Sequence, residues 1–136
     1  MTPTQKSLVQ QTFAQLVPIA DQAAALFYGR LFEMDPSLRP LFKTPLDIQG
    51  KKLMQMIGVC VAKLDALDEV VPAVKQLGRR HVAYGVVDSH YDTVGGALLW
   101  TLEQGLGPAF TPEVKEAWTA VYVVLSSTMK SAAAAA

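Results

Sequence analysis

Residues 77–91, LGRRHVAYGVVDSHY, contain both histidines of the chain. Val70, Val74 and Leu77 precede His81 at helical intervals, which predicts that His81 lies on an apolar helix face. A buried imidazole needs a partner for each ring nitrogen. Near the end of a helix its Nδ1–H can donate to the carbonyl of Leu77, which leaves the Nε2 lone pair for a metal. A core histidine satisfied by a side chain or by water is the alternative, and on residue type alone it is the commoner case.

Two further polar residues, Tyr28 and Gln49, lie on or beside apolar helix faces. Gln49 lies four residues before Leu53 and continues its apolar stripe, although a first helical turn can also end such a stripe at the surface. Tyr28 neighbours a stripe that contains Phe27 and Leu31, where most tyrosines pack half-buried with the hydroxyl in water. Both residues therefore have a structural alternative to a role in ligand binding.

Gly50 follows Gln49 inside the same predicted helix. Glycine there costs about 1 kcal/mol relative to alanine, so it usually has a packing reason. We expect that reason to be the close approach of the small face formed by Ala24 and Ala25 in the second helix.

Helical spacing predominates along the chain, and the amphipathic segments lack strand-like alternation. The predicted helices span residues 4–16, 19–34, about 49–64, 70–84, 88–106 and 111 onwards, with a helical turn at 35–42 and a loop at 43–46. Asp35 and Thr111, each followed by proline, predict N-caps, and Asp88 or Ser89 predicts another. Gly85 predicts a left-handed helix stop. The predicted class is all-α, with six or seven helices and short connections.

The chain of 136 residues is long enough for one domain with a single core. Hydrophobic residues make up 51% and charged residues 18%. This apolar composition is sufficient for a core that also encloses a small apolar ligand. The 12 basic and 12 acidic residues balance, which argues against a nucleic-acid partner. We interpret the single cysteine, Cys60, as an inert core residue. A chain with one cysteine forms no internal disulfide, which fits a reducing compartment. Since neither a signal peptide nor a membrane span is visible in the sequence, we expect a cytoplasmic protein without a membrane partner.

We assign residues 1–131 to the domain and residues 132–136, AAAAA, to a low-complexity tail. The tail extends the last helix, frays at its end or is foreign to the natural chain, and these alternatives stay open at this point.

Several stretches at characteristic spacings resemble the globins, specifically the single-domain bacterial hemoglobins related to flavohemoglobins and neuroglobins. The stretches that carry the resemblance are FYGRLFEMDPSLRPLF, LGRRHVAYGVVDSHY and the AWTAVY of the last helix. It covers about residues 7–129, and the ordered set is more specific than any one stretch. It implies a globin fold, in which six to seven helices form a 3-on-3 sandwich around a pocket for heme b, iron protoporphyrin IX.

The resemblance also implies roles for individual residues. His81 matches the proximal heme ligand, and Phe42 matches the phenylalanine at the corner that stacks on the porphyrin. Tyr28 and Gln49 match the two distal polar positions, from which both side chains would donate hydrogen bonds to dioxygen. Tyr91 matches a tyrosine that lies near the proximal histidine in flavohemoglobins.

Heme binding needs one axial imidazole, a flat apolar slot and cations for the propionates. The residues expected to line the slot are Phe42, Leu53, Ile57, Val74, Leu77, Val94 and Leu98. The candidates for the propionates are Lys51, Lys52, Arg79, Arg80, Tyr84 and His90, most of which also suit a solvated surface. Flavohemoglobins add a glutamate from the last helix to the proximal side, whereas this chain has alanines in the matching region. A strongly charged, peroxidase-like proximal side is therefore not expected, and without a distal histidine neither is a bis-histidine state.

Three functions are compatible with the resemblance. The first is reversible dioxygen binding, in which two distal hydrogen bonds of about 1 kcal/mol or more each slow release by roughly one to two orders of magnitude. The second is nitric oxide dioxygenation with an external reductase, because a chain of this length has no room for a reductase domain. The third is a heme-based sensor or an interaction module without heme. We expect a monomer or a weak homodimer.

Overall fold

The protein, seen in a computed structural model that describes residues 2–83 and 85–134, is built from α-helices. The helices are α1 (Pro3–Leu16), α2 (Ala20–Met34), α3 (Leu46–Ala62), α4 (Val71–Ala83), α5 (Asp88–Leu106) and α6 (Pro112–Ala134). Shorter 3-10 segments span Val17–Ile19, Pro36–Leu41, Leu64–Glu69 and Gly107–Ala109. The predicted all-α class is confirmed. Within the described ranges, no helix combines the length and the hydropathy that a membrane crossing requires.

Local sequence determines several helix ends as predicted. The Asp35 carboxylate accepts a hydrogen bond from the N–H of Ser37 at 3.1 Å, directly before the 3-10 segment. The Thr111 hydroxyl accepts from the N–H of Val114 at 3.3 Å, at the start of α6. Gly85 has a φ of 90°, the left-handed conformation expected of a residue that stops a helix.

The start of α5 differs from the prediction that Asp88 or Ser89 caps it. The helix already begins at Asp88, so the N-cap position falls to Val87, whose side chain cannot accept a hydrogen bond. The N–H of Val87 instead donates to Nδ1 of His90 at 3.2 Å. His90 therefore helps to start α5 through its side chain.

The end of α3 lies two residues before the predicted one, and the end of α6 bears on the alternatives left open for the tail. α3 ends at Ala62, and Leu64, although 2% exposed, begins a 3-10 segment. At the other end of the chain α6 continues to Ala134, and Ala132 is buried. For residues 132–134 the tail thus extends the last helix, and the final two alanines lie outside the described residues.

The helices pack against one another around three clusters of buried apolar residues. α2 packs against both α3 and α5, while α6 packs against α1, α4 and α5. Trp118 of α6, only 2% exposed, is the largest of the fully buried side chains, and its Nε1–H donates to the Thr12 hydroxyl of α1 at 2.9 Å. Cys60 is 1% exposed, as expected of an inert core residue.

Two glycines allow close approaches between helices. A Cβ added to Gly50 would lie 2.8 Å from Cβ of Ala24, so α2 and α3 cross closely there, as the sequence predicted for Ala24. A Cβ added to Gly78 would lie 2.6 Å from the backbone oxygen of Met129. α4 therefore approaches the backbone of α6 at a point three residues before His81.

Replacing Gly78 by alanine should lower the free energy of unfolding by about 1 to 3 kcal/mol, because the new methyl group overlaps backbone atoms of α6. Gly29→Ala in α2 is the matched control. Its Cβ meets no atom within 4 Å, so better helix propensity should raise stability by up to about 1 kcal/mol. Urea denaturation followed by circular dichroism measures both variants. Equal stability of Gly78→Ala and the parent protein would contradict the close approach of α4 and α6.

Candidate functional site

His81 lies on α4 one turn after Leu77. Its Nδ1 donates to the Leu77 carbonyl oxygen at 2.8 Å, which confirms the hydrogen bond predicted from the sequence. Because a carbonyl oxygen only accepts, the proton belongs to Nδ1 and the lone pair to Nε2. This is the tautomer in which a histidine binds a metal through Nε2 while a backbone group orients the ring.

The surroundings of His81 keep its imidazole neutral. The residue is half-buried, and desolvation lowers its pKa below the ordinary 6.5, against a smaller opposing effect of the Leu77 hydrogen bond. A metal binds the neutral imidazole, so this lowered pKa favours the ligating form at neutral pH.

Tyr91 of α5 stacks beside His81, with ring centroids 6.4 Å apart and planes at 21°. Tyr122 of α6 holds this part of α5, since its hydroxyl donates to the Tyr91 carbonyl oxygen at 2.5 Å. The ring of Tyr122 occupies the space beside Gly95, where an added Cβ would lie 2.7 Å from it. Burial, together with Tyr91 and Asp92 nearby, raises the pKa of Tyr122 well above its ordinary value, so its phenol remains a donor.

Tyr28 and Gln49 meet between α2 and α3. Tyr28 is only 4% exposed, so it is not a surface tyrosine with its hydroxyl in water. Burial raises the pKa of Tyr28 from 10.0 to about 12, against the opposing effect of a side-chain hydrogen bond with Gln49. The phenol is therefore protonated at neutral pH and can act as a donor.

Phe42 forms an aromatic wall together with Tyr28 and Phe32. The ring centroids of Phe42 and Tyr28 are 5.4 Å apart at 73°, and those of Phe42 and Phe32 are also 5.4 Å apart, at 71°. These edge-to-face contacts are the geometry that aromatic pairs prefer. They link the corner before α3 to α2 and hold Tyr28 in place.

The predicted lining residues fall into neighbouring apolar clusters. Tyr28 belongs to a cluster against which four of them pack, namely Phe42, Leu53, Val94 and Leu98. Leu77 packs against a second cluster, which contains Tyr91. Ile57 packs against the main core near Trp118. All six of these residues are only half-buried, so each keeps apolar surface that a flat ligand could cover.

Val74 differs from the expectation that it lines the slot. It is 3% exposed and packs with Cys60 and Met129 in the core. Its physical role is therefore to hold α4 against the rest of the protein, one turn before Leu77.

Comparison with known proteins decides the family. The globin family model matches residues 25–129. The chain belongs to the globin family. It is 30% identical to neuroglobin of Danio rerio over 138 residues, covering 91% of this chain and 87% of the neuroglobin. It is also 30% identical to a flavohemoprotein of Bacillus subtilis over 122 residues, covering 88% of this chain but 31% of that protein.

A solved structure shows the same fold. An engineered carbene transferase, made from a candidate nitric oxide dioxygenase of Rhodothermus marinus, superimposes on this globin with a TM-score of 0.90 at 24% identity. The superposition covers 99% of this chain and 94% of the other. The predicted globin fold is thereby confirmed.

The basic side chains predicted to hold propionates lie on the surface of the globin. Lys51, Lys52, Arg79 and Arg80 are all exposed, and none of them forms an ion pair with a described acid. His90 is partly exposed and accepts the hydrogen bond that starts α5. Tyr84, predicted to bind the heme at a propionate, lies outside the described residues.

One charged residue near His81 was not singled out from the sequence. Lys130 of α6 places its ammonium nitrogen 5.7 Å from the ring centroid of Tyr91. A signal was available, because Lys130 follows Tyr122 by eight residues, about two helical turns, and so shares its helix face.

Proposed function

We propose that this globin binds heme b through Nε2 of His81 and binds dioxygen reversibly with high affinity. The observation that carries the proposal is the hydrogen bond from Nδ1 of His81 to the Leu77 carbonyl. It selects the tautomer in which Nε2 can ligate iron, and it holds the ring beside apolar residues that are only partly buried.

The residues present fit a heme group, which when bound supplies an iron that takes up diatomic ligands. Such an iron requires only one ligand from the protein, the imidazole, because the porphyrin nitrogens supply the other ligands. The apolar faces suit the flat macrocycle, and they are provided by Phe42, Leu53, Ile57, Leu77, Val94 and Leu98. The exposed cations at Lys51, Lys52, Arg79 and Arg80 suit the propionates.

Tyr28 and Gln49 support the proposal of high affinity for dioxygen. Both lie on the α2–α3 side of the site, and the buried phenol keeps its proton to donate toward the ligand. A hydrogen bond to an acceptor with partial negative charge contributes about 1 kcal/mol or somewhat more. Two such donors slow dioxygen release by roughly one to two orders of magnitude.

A second candidate function, nitric oxide dioxygenation, rests on the same pair of donors and on the relatives called flavohemoproteins. Those from Bacillus subtilis and Vibrio cholerae are matched over 31% and 33% of their length, so this chain spans about a third of each. Turnover by this chain would use an external reductase. A fast single reaction combined with poor turnover with every reductase tried would favour the binding function.

We also propose a cytoplasmic location and a monomeric or weakly dimeric state. The only cysteine, Cys60, is 1% exposed and has no second cysteine to pair with inside the chain. Such cysteine usage suits a reducing compartment.

Absorption spectra of the purified protein, then after dithionite and then with carbon monoxide, test the proposal. We expect an intense Soret band, a five-coordinate ferrous form and a sharp shift with carbon monoxide. A protein that stays colourless after hemin is added would contradict heme binding and would favour an interaction module without heme. A six-coordinate ferrous form would contradict His81 as the single axial ligand.

A further inference from the structure

The side of the site formed by α4, α5 and α6 contains a positive charge. The ammonium nitrogen of Lys130 lies 5.7 Å from the ring centroid of Tyr91, and the Tyr91 ring stacks on His81 at 6.4 Å. Tyr91 is 7% exposed and Lys130 is partly buried. The ammonium and the imidazole thus lie against the same aromatic ring.

The packing of the three helices fixes this arrangement. Gly78 lets α4 approach the backbone of Met129, the residue directly before Lys130. The hydroxyl of Tyr122 on the same face of α6 holds the backbone carbonyl of Tyr91. These contacts fix the backbone of α6 at Lys130 relative to α4 and Tyr91, so the lysine side chain starts from a defined position beside the Tyr91 ring.

Among the described residues, no carboxylate forms an ion pair with Lys130. The ion pairs among the described residues are Lys6–Asp65, Arg30–Glu33 and Lys63–Glu69. Lys130 takes part in none of these, and its described electrostatic contact is the face of Tyr91. Partial burial reduces solvent screening, so the charge acts on its surroundings more strongly than one in open water.

We propose that the positive charge of Lys130 raises the reduction potential of heme held at His81. Lys130 would act across the Tyr91 ring, without touching the heme iron or its ligand. The inference rests on the proposed heme site. A nearby cation disfavours the ferric state, because that state has one more positive charge at the metal than the ferrous state. Lys130 thereby favours the ferrous form, which is the form that binds dioxygen.

Substitutions at Lys130 test this inference in the heme-loaded full chain. At one fixed potential near the midpoint, Lys130→Met should shift the ferric-to-ferrous ratio toward ferric by about tenfold, and Lys130→Glu should shift it further. Lys130→Arg should retain the parent ratio, because it keeps the charge over the ring. Spectroelectrochemical titration of the Soret band measures all three.

Lys115→Met is the matched control. It removes the same charge from an exposed position of α6, roughly 22 Å along the helix from Lys130. It should leave the ratio unchanged. Identical ratios for Lys130→Met and the parent protein, or equal shifts for both methionine variants, would overturn the inference. A shift in Lys130→Arg as large as that in Lys130→Met would also overturn it, by showing a packing role.

If the protein does not bind heme at all, the experiment gives a different result from the one expected when only the role of Lys130 is wrong. In that case the parent protein takes up no hemin and has no Soret band to titrate. If only the role of Lys130 is wrong, every variant is loaded with heme and has the same potential as the parent.

Discussion

Replacing His81 by glycine should weaken hemin binding by more than about 100-fold, since it removes the axial ligand itself and not merely a group that orients one. Added imidazole should restore much of the Soret band. The deleted side chain leaves a space beside Tyr91 and near the Leu77 carbonyl, where a free imidazole can take up the same two contacts. Hemin titration followed at the Soret band measures both the loss and the rescue.

His90→Ala is the control for this prediction, because it removes the other histidine of the chain. The His90 side chain accepts from the N–H of Val87 at the start of α5. Its loss should cost at most about 2 kcal/mol of stability, as for other N-terminal caps, and weaken hemin binding far less than the loss of His81. Normal hemin affinity of His81→Gly without imidazole would mean that another group ligates the iron.

Replacing Tyr28 by phenylalanine should speed dioxygen release by about tenfold. The substitution removes one hydrogen-bond donor of about 1 kcal/mol or slightly more. It keeps the ring that packs edge-to-face on Phe42 and Phe27, so the shape of the pocket should be preserved. Displacement of dioxygen by carbon monoxide in a stopped-flow instrument measures the rate.

Carbon monoxide provides the internal control for the Tyr28 variant. Bound carbon monoxide carries little negative charge, so its release should change far less than that of dioxygen.

Gln49→Leu and the Tyr28→Phe/Gln49→Leu double variant complete a double-mutant cycle, which measures the coupling between the two donors. Burial raises the pKa of the Tyr28 phenol and Gln49, which lies close to it, opposes that shift, so we expect that the two effects are not additive. An unchanged dioxygen off-rate in Tyr28→Phe would remove this residue from the distal role.

Some parts of the candidate site could be predicted from the sequence because they are local. Leu77 and His81 are four residues apart in one helix, so helical geometry alone brings the carbonyl to Nδ1. Gly50 within an amphipathic helix signalled a close contact, and Ala24 supplies it. The N-cap of α5 and the end of α3 were local features predicted wrongly. Asp88 and Ser89 both suit such a cap, but the helix begins one residue earlier than a cap at Asp88 would require.

Other parts depend on how the helices are rotated against one another, and a pattern within one helix does not determine that. Val74 and Leu77 share one apolar stripe, yet Val74 points into the core while Leu77 stays half-buried. The proximity of Tyr28 and Gln49 similarly requires the crossing of α2 and α3. Periodicity identifies the inner face of a helix, but it does not say which part of that face meets a partner helix and which part meets a ligand.

The sequence by itself determined the helices, most of their caps, the apolar faces and the tautomer of His81, because each depends on residues within one or two turns. The family resemblance implied that Tyr91 lies near His81, but only the tertiary structure decided that the two rings stack and that Lys130 lies over Tyr91. Those contacts join α4, α5 and α6 at a place set by Gly78 and Tyr122. They depend on how closely three helix backbones approach, which is a property of the packed molecule and not of any one segment.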